Sequence, residues 1–496
     1  MAVLPAVQFR EPRVPFSGDM PAPGTRELAG SRLGCPDPGA LKPALAELST
    51  AFGERLSLAP ATREQHANTT TWLANEPPDA VVYPSSATEV QSIVRVCAAH
   101  GVPVIPFGAG TSLEGQVNAP FGGVSIDFRD MNRVLAVHAQ DLDCVVEPGV
   151  TRKQLNAFLR DQGLFFPIDP GADASLGGMT ATRCSGTNAV RYGTMKDNVL
   201  ALKAVLANGE MITTARRARK SSAGYDLTRL LVGSEGTLAV VTEITLRLHG
   251  IPEAIAGGIC PFPSVEAACE ATIATIQTGI PVARIELLDS LQVKAVNAYS
   301  HLTLPERPLL CLEFHGSEQS VVEQSRRFDE IAGDLGGGPF EWATKAEDRS
   351  RLWQARHDAY WAALALRPGA KAIATDVCVP ISRLAECVTA TQQDIIASRL
   401  VAPIVGHVGD GNFHLSLVLD MADDDEVRRA EGLLERLVER ALDMDGTCTG
   451  EHGVGQGKMK YLPAEHGEGT LGAMRALKLA LDPQNILNPG KIISLG

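Results

Sequence analysis

Two imidazoles and one carboxylate are the side chains best placed by type and spacing to do chemistry. His407 and His414 lie in G-H-V-G-D-G-N-F-H, residues 406–414, and Glu451-His452 sits between glycines in T-G-E-H-G-V-G, residues 449–455. One histidine alone is more often a hydrogen-bonded structural residue than a ligand. An opposed pair with a Glu-His dipeptide reverses that balance. His407, His414 and Glu451 then form a set with open coordination positions, suited to Zn²⁺, Mn²⁺ or Fe²⁺. Such a set can serve a hydrolytic centre or a Lewis acid that lowers the pKa of a bound hydroxyl.

Holding the two rings side by side requires a hairpin. Val401, Ile404 and Val405 precede the motif, and Leu415, Leu417 and Val418 follow it. Asp-Gly between two such runs is a strong hairpin signal. With Asp410-Gly411 as a two-residue turn, Gly409 faces Asn412, Val408 faces Phe413, and His407 faces His414. Opposed residues share one face, with Cβ atoms roughly 4.5–5.5 Å apart. A one-residue slip would put the rings on opposite faces.

The chain around these motifs has 496 residues, enough for two or three domains with sizeable cores. Lys and Arg number 45 against 58 Asp and Glu, a net charge of −13, which argues against nucleic acid as a partner. Ten cysteines are scattered without C-x-x-C and read as reduced, buried thiols. No run of 18 apolar residues exists, so no transmembrane segment is expected. The first 34 residues hold arginines at 10, 13, 26 and 32 but lack the apolar stretch of a secretory signal. Glu11, Asp19 and Glu27 weaken a mitochondrial presequence, so residues 1–40 read as an irregular arm.

From 41 to 252 helix and strand patterns alternate. Ser86-Ala87-Thr88-Glu89 has the form of a capping box. Val90, Ile93, Val94 and Cys97 follow at helical spacing, and His100-Gly101 marks the stop. Strands are expected at 102–106, 124–128, 144–146 and 201–206. Asn208-Gly209 makes a hairpin with 211–214, and 238–248 reads as a strand of period two. Past Pro252 come a helix at 264–277, a strand at 309–314 and a charged helix at 345–366. An amphipathic helix follows at 426–443, and a helical tail at 471–481 stops at Asp482-Pro483.

The first half is rich in glycine in three places. Pro106-Phe107-Gly108-Ala109-Gly110-Thr111-Ser112-Leu113-Glu114-Gly115 follows a strand, and its glycines free backbone N–H groups to converge on an anion. No G-K-[ST] closes it, so it is not a Walker loop. Asp169–Met179 leads into Ser185–Gly193, and Gly233-Ser234-Glu235-Gly236 leads into a strand. Three such segments exceed what turns alone need and suit a backbone wrapped closely round a ligand.

These segments carry a resemblance. I-P-F-G-A-G-T-S-L-E-G, D-P-G-A-D-A-S-L-G-G-M, S-G-T-N-A-V-R-Y-G-T and V-G-S-E-G-T-L resemble the FAD-binding domain of the vanillyl-alcohol-oxidase type. T-D-V-C-V-P, G-H-V-G-D-G-N-F-H, T-C-T-G-E-H-G-V-G and N-P-G-K are similar to the D-2-hydroxyacid dehydrogenase branch, above all the cytochrome-type D-lactate dehydrogenases. The likeness covers about residues 50–496. It implies an α+β fold: a FAD-binding domain of two subdomains over 41–252, then an α+β substrate (cap) domain with an antiparallel sheet. That cap would span 253–448, and 449–496 would return to the FAD domain.

The resemblance further implies noncovalent FAD. Gly108, Ala109, Gly110, Thr111 and Ser112 would contact the pyrophosphate. Ser175, Gly178, Ser185, Asn188 and Gly193 would line the isoalloxazine and ribityl path, and Val240 or Val241 the adenine side. Pro106, Gly115, Pro170, Glu235, Gly236 and Asn488 complete the implied cofactor contacts. The family match supports His407, His414 and Glu451 as ligands of a divalent metal, Zn or Mn. The metal would bind the substrate 2-hydroxyl and a carboxylate oxygen, His452 would act as base, and hydride would pass to flavin N5. Arg356, in the family's L-W-x-x-R, would bind the substrate carboxylate, with Asn412 and Tyr360 as further substrate contacts.

Relatives that use 2-hydroxyglutarate carry lysine where this chain has Ala374, with Lys371 as the available substitute. A monocarboxylate such as D-lactate is therefore expected over 2-hydroxyglutarate or glycolate. A cytochrome, a quinone or an electron-transfer flavoprotein would accept the electrons. The expected location is the cytoplasm or the periphery of the inner membrane, or the mitochondrion in a eukaryote, and a homodimer is compatible with the sequence. A metal-dependent hydrolase using the same His/His/Glu set is the reading from another class, but it leaves the glycine-rich half without a purpose. A non-catalytic flavin-binding subunit would need neither the metal ligands nor His452.

Overall fold

Local signals in the first half translate into elements within a residue or two. In the computed structural model, which describes residues 38–343 and 345–495, the helix Ala87–His100 begins where Ser86 Oγ accepts the Glu89 N–H at 3.3 Å. It ends at Gly101, which takes φ 65° as a left-handed stop. Glu89 does not complete the capping box. Its Oε2 accepts the Ser85 N–H at 2.7 Å instead, one residue early, and it pairs with Arg55. Val90, Ile93, Val94 and Cys97 are fully buried, as their spacing requires. The expected arm lies outside the described residues except for 38–40, which open the helix Pro38–Phe52.

Among the described residues, four sheets organise the chain. The first has strand order Leu56–Ser57, Ala80–Val82, Val124–Asp127, Val104–Phe107, with its last three strands parallel. A five-stranded antiparallel sheet follows in the order Val134–His138, Asp143–Val146, Val240–Arg247, Val199–Val205, Met211–Thr213. The Asn208-Gly209 turn closes its outer hairpin, with Val205 opposite Met211 and Gly209 at φ 75°. Leu164–Phe165 and His249–Gly250 form a two-stranded piece.

The last sheet belongs to the second half. Its path is Glu341–Ala343, Ala254–Pro261, Leu309–Gly316, Val282–Leu288, Ile404–Gly406, Asn412–Leu419, Lys371–Ala374, all antiparallel, with Val377–Cys378 also paired to Asn412–Leu419. Helices Val265–Gln277, Leu384–Ser398 and Asp424–Asp443 bury one face each in the core cluster that includes Leu287, Leu415 and Leu417. The long charged helix expected at 345–366 is two helices, Ala346–His357 and Ala359–Ala365, parted at Asp358. The tail Leu462–Leu481 is longer than its apolar pattern indicated and kinks at Gly467, φ 72°. The fold is thus α+β, with a glycine-rich first region and a second region built on an antiparallel sheet.

The central hairpin differs from the sequence expectation in register. Ile404 pairs with Leu415 and Val405 with His414, so His414 does not face His407. Residues 407–411 form a wider turn, with a 3₁₀ segment at Val408–Asp410 and Gly411 in the left-handed region at φ 79°. The cause is packing. Val408 is fully buried, and a Cβ on Gly409 would lie 2.6 Å from Ile285 and 2.7 Å from Val190. A two-residue turn would stand clear of the sheet and leave that contact unmade.

Candidate functional site

His414 and His407 still meet. The partner of His414 has moved by two residues, an even step that keeps faces matched, and the turn swings His407 back toward the sheet. Their rings are 5.4 Å apart and nearly perpendicular. His407 Nε2 lies 3.0 Å from Glu451 Oε1, and His414 Nε2 lies 3.4 Å from the same oxygen. Each histidine is held at its other nitrogen. His407 Nδ1 donates to Glu286 Oε1 at 2.7 Å, and His414 Nδ1 donates to the Thr375 carbonyl at 2.9 Å. That arrangement leaves both Nε2 atoms facing one carboxylate oxygen, as ligands of a shared cation are held.

Asp376, which the sequence reading did not name as a site residue, sits in the same cluster. Ligand atoms of Asp376, His414, Glu451 and His452 all lie within 4.8 Å of one another. Asp376 also has a structural task. Its Oδ2 accepts the N–H groups of Glu451 at 2.9 Å and His452 at 2.8 Å and the Thr449 hydroxyl at 2.8 Å. Its Oδ1 accepts Asn412 Nδ2 at 2.9 Å, and Lys458 Nζ lies 3.5 Å from Oδ2. Through its Oδ2 bonds Asp376 fixes the loop that carries Glu451 and His452. His407 stands outside that four-residue group but adjoins it, its Nε2 3.0 Å from Glu451 Oε1, so the expected His407, His414 and Glu451 set is a candidate donor set beside Asp376 and His452.

The loop itself depends on its glycines. A Cβ on Gly453, at φ 80°, would lie 2.4 Å from Glu235 Oε1, and one on Gly455 would lie 2.1 Å from the Glu114 carbonyl. Glu235 accepts the Val454 and Gly455 N–H groups at 2.7 and 2.8 Å, and Gln116 Nε2 donates to the His452 carbonyl at 2.8 Å. Two glycine-rich segments of the first half thereby clasp the Glu451–His452 loop of the second. The Glu235 carboxyl is pushed up to about 7 by burial, against the pull of those two N–H groups.

His452 stacks on His414, with ring centroids 4.9 Å apart and planes 9° apart. Its Nδ1 is buried without a hydrogen-bond partner. Burial holds its pKa down at about 4, despite the Asp376 carboxylate nearby. A neutral imidazole with one open nitrogen is what a general base requires. His407 shows the opposite balance: burial disfavours its cation, but Glu286 and Glu451 outweigh this and raise its pKa well above the ordinary value.

A cavity of about 640 Å³ adjoins this cluster. Its wall includes His407, His414, Glu451, His452, Arg356 and Tyr360, together with Pro106, Gly108, Ala109, Gly110, Thr111 and Ser112. Pro170, Ser175, Gly178, Glu235, Gly236 and Asn488 line it too. Among the described residues, the backbone N–H groups of 108–112 have no acceptor in the protein, and Ser112 Oγ is buried without a partner. That row of free donors fits a pyrophosphate. Gly108 has to be glycine, because a Cβ there would lie 2.1 Å from Ser175 Oγ. The residues present therefore fit FAD.

Other expected contacts lie elsewhere. Ser185 does not line the cavity; its hydroxyl donates to Glu451 Oε2 at 2.7 Å. Asn188 receives Arg284 Nε at 2.9 Å, beside a separate cavity of about 200 Å³. Gly193 abuts Asp197, and Gly115 abuts Leu73 and Gln456, away from the wall. Val240 is fully buried in the core of the first sheet, and Val241 packs against the core of the second. Asn412 is also off the wall, with its Nδ2 held by Asp376 and the Val377 carbonyl and its Oδ1 buried without a partner. Tyr360 sits on the wall, its hydroxyl 3.4 Å from the Ala372 carbonyl.

Arg356 is buried and bound to Glu286, with Nε and Nη2 at 2.9 and 2.6 Å from Oε2. Sequence reasoning missed that glutamate and also His357, a cavity residue whose pKa burial lowers to about 4. A signal for Glu286 was present: it is the one carboxylate in the run Val282–Leu288, V-A-R-I-E-L-L.

Comparison with known proteins bears on the whole chain. Residues 78–215 match the FAD binding domain family, and residues 251–492 match the C-terminal domain of FAD linked oxidases. A probable mitochondrial D-lactate dehydrogenase of Danio rerio is 53% identical, over 89% of this chain and 90% of its own length. A mitochondrial D-lactate dehydrogenase [cytochrome] of Arabidopsis thaliana is 50% identical, over 84% of this chain and 73% of its own. Among solved structures, the 4-ethylphenol oxidase of Gulosibacter chungangensis superposes with a TM-score of 0.74, covering 92% of this chain and 98% of its own at 18% identity. That last likeness speaks to fold.

Proposed function

This chain belongs to the FAD-linked oxidases of the D-lactate dehydrogenase type, and from that membership we propose that it oxidises D-lactate, or a D-2-hydroxyacid close to it in size, to the 2-oxo acid. The observation that carries this reading is one shared cavity: the free N–H groups of 108–112 and the His407, His414, Glu451, His452 cluster face the same space. When bound, FAD supplies the hydride acceptor and a divalent cation supplies the Lewis acid. The segment 108–112 would hold the FAD pyrophosphate, and His407, His414 and Glu451 would hold the cation.

The remaining work falls to side chains of the cavity wall. Arg356 binds the substrate carboxylate through the part of its guanidinium that Glu286 leaves free. His452 takes the hydroxyl proton at Nδ1, the ring nitrogen without a partner. Asp376 keeps that ring in place through the His452 N–H. Ala374 offers nothing charged to a second carboxylate, which favours lactate over 2-hydroxyglutarate. A hydrolase reading leaves the FAD-binding match without a role.

Electrons would leave to an external acceptor, for which the name of the Arabidopsis relative favours a cytochrome over a quinone or an electron-transfer flavoprotein. Among the described residues no helix is long and apolar enough to cross a membrane. A mitochondrial location is the expectation if the source is eukaryotic, following the names of the relatives.

Anaerobic mixing of the yellow holoenzyme with a panel of hydroxyacids tests the proposal. D-Lactate should bleach the flavin faster than L-lactate, D-2-hydroxyglutarate or glycolate. Faster bleaching by D-2-hydroxyglutarate or glycolate would reassign the substrate, and a colourless protein would contradict the reading outright.

A further inference from the structure

We propose that Glu286 is a positioning residue that links the substrate arginine to the metal site through its two carboxylate oxygens. Its Oε1 accepts His407 Nδ1 at 2.7 Å, while its Oε2 takes Arg356 Nε at 2.9 Å and Nη2 at 2.6 Å. The two partners come from distant parts of the chain: Arg356 from the helix Ala346–His357, His407 from the turn after Ile404–Gly406. Glu286 itself lies mid-strand in Val282–Leu288, between the core residues Ile285 and Leu287, and is 1% exposed. A carboxylate in such a place is costly unless both oxygens are engaged, and here each oxygen serves a different partner.

Each engagement has a chemical consequence. Accepting from Nδ1 holds a His407 proton on that nitrogen and turns Nε2 toward Glu451, where a cation would displace any second proton and take the lone pair. The Nε hydrogen bond and the Nη2 ion-pair contact orient the guanidinium, and neither engages Nη1, which is left for a substrate carboxylate. Because one rigid group does both, the distance between the carboxylate grip and the metal is set by the strand and not by two independent rotamers. A glutamine cannot replace it. Its single oxygen can accept from only one partner, and its amide then presents N–H to the other.

This inference rests on the proposed roles of Arg356 and His407, and the test separates the two levels. Purified flavin-loaded E286Q, E286D, H407A and R356K proteins are titrated with Mn²⁺ alone by calorimetry and assayed for KM and kcat with D-lactate. E286Q is expected to keep its flavin, to bind Mn²⁺ about tenfold or more weakly and to show a raised KM. E286D, which keeps two acceptor oxygens, should recover part of both losses. If E286Q leaves Mn²⁺ affinity and KM unchanged while H407A and R356K impair them, the inference fails alone. If E286Q moves only one of the two, Glu286 serves a single partner and the link is refuted. Unchanged H407A and R356K would bring down the underlying reading and the inference with it. Should E286Q fail to fold, R356Q decides: a link requires its Mn²⁺ affinity to shift severalfold, although Arg356 touches no ligand atom of the cation, and an unchanged affinity refutes it.

Discussion

Asp376 accepts the backbone N–H of His452 at 2.8 Å and so fixes the proposed base by its main chain, leaving the imidazole unengaged by that bond. The same oxygen holds the N–H of Glu451 at 2.9 Å, which ties the proposed base and the proposed metal ligand into one loop. Asp376→Asn retains one acceptor but must turn an N–H toward donors. A loss of roughly 10–100-fold in metal affinity or kcat is expected, with the flavin retained. Metal content by mass spectrometry and steady-state rates check this; parental values in both would remove Asp376 from the account.

His452→Gln should slow anaerobic flavin reduction by D-lactate by roughly 10²–10⁴-fold, the usual share of a general base. KM should change little, because His452 is not assigned to grip the substrate. Stopped-flow absorbance of the flavin reads the step directly. A normal reduction rate would place the base elsewhere, with His357 as the next imidazole on the cavity wall.

Arg356→Lys keeps the charge but loses the planar fork that can bind Glu286 on one edge and a carboxylate on the other. KM for D-lactate should rise about tenfold or more, with a smaller change in kcat. Initial-rate kinetics over a wide substrate range suffice, and an unchanged KM would make Arg356 a structural partner of Glu286 only.

Asp289 gives a pH test away from the reacting groups. It caps the helix Ser290–Ser300, its Oδ1 accepting the Gln292 N–H at 2.7 Å, and burial pushes its carboxyl up to about 7. Between an unfolded value near ~3.9 and that folded value the native state binds the extra proton, so its contribution to stability falls as pH rises through the window. Asp289→Asn keeps the cap acceptor and removes the charge. Urea unfolding should find the variant more stable at pH 8 and close to the parent at pH 4, where Asp289 is protonated in the fold. Parallel stability curves across that range would contradict the assignment.

The sequence reading succeeded where local chemistry decides and erred where tertiary packing does. Ser86 and Gly101 bound their helix because cap and stop are properties of a few adjacent residues. The turn at Asn208-Gly209 formed for the same reason. Asp410-Gly411 carried an equally strong turn signal, yet the turn widened because Val408 and Gly409 have a buried seat against Ile285 and Val190 that no local rule reveals. Glu286 and Asp376 were missed as site residues because their partners lie 121 residues on, at His407, and 76 residues on, at His452. A lone carboxylate within an apolar run was the available clue. Ser185 shows the converse: the family resemblance implies a place on the cofactor path, whereas its hydroxyl is engaged with Glu451.

The central claim is that His407, His414 and Glu451 hold a cation that substrate oxidation requires. Its most direct measurement is the rate of anaerobic flavin bleaching by D-lactate in three samples: holoenzyme, holoenzyme dialysed against a chelator, and the dialysed sample after Mn²⁺ or Zn²⁺ is restored. The account predicts a collapse of the rate on dialysis with the flavin still bound, and recovery on adding the metal. A metal-free sample that bleaches at the original rate would contradict it.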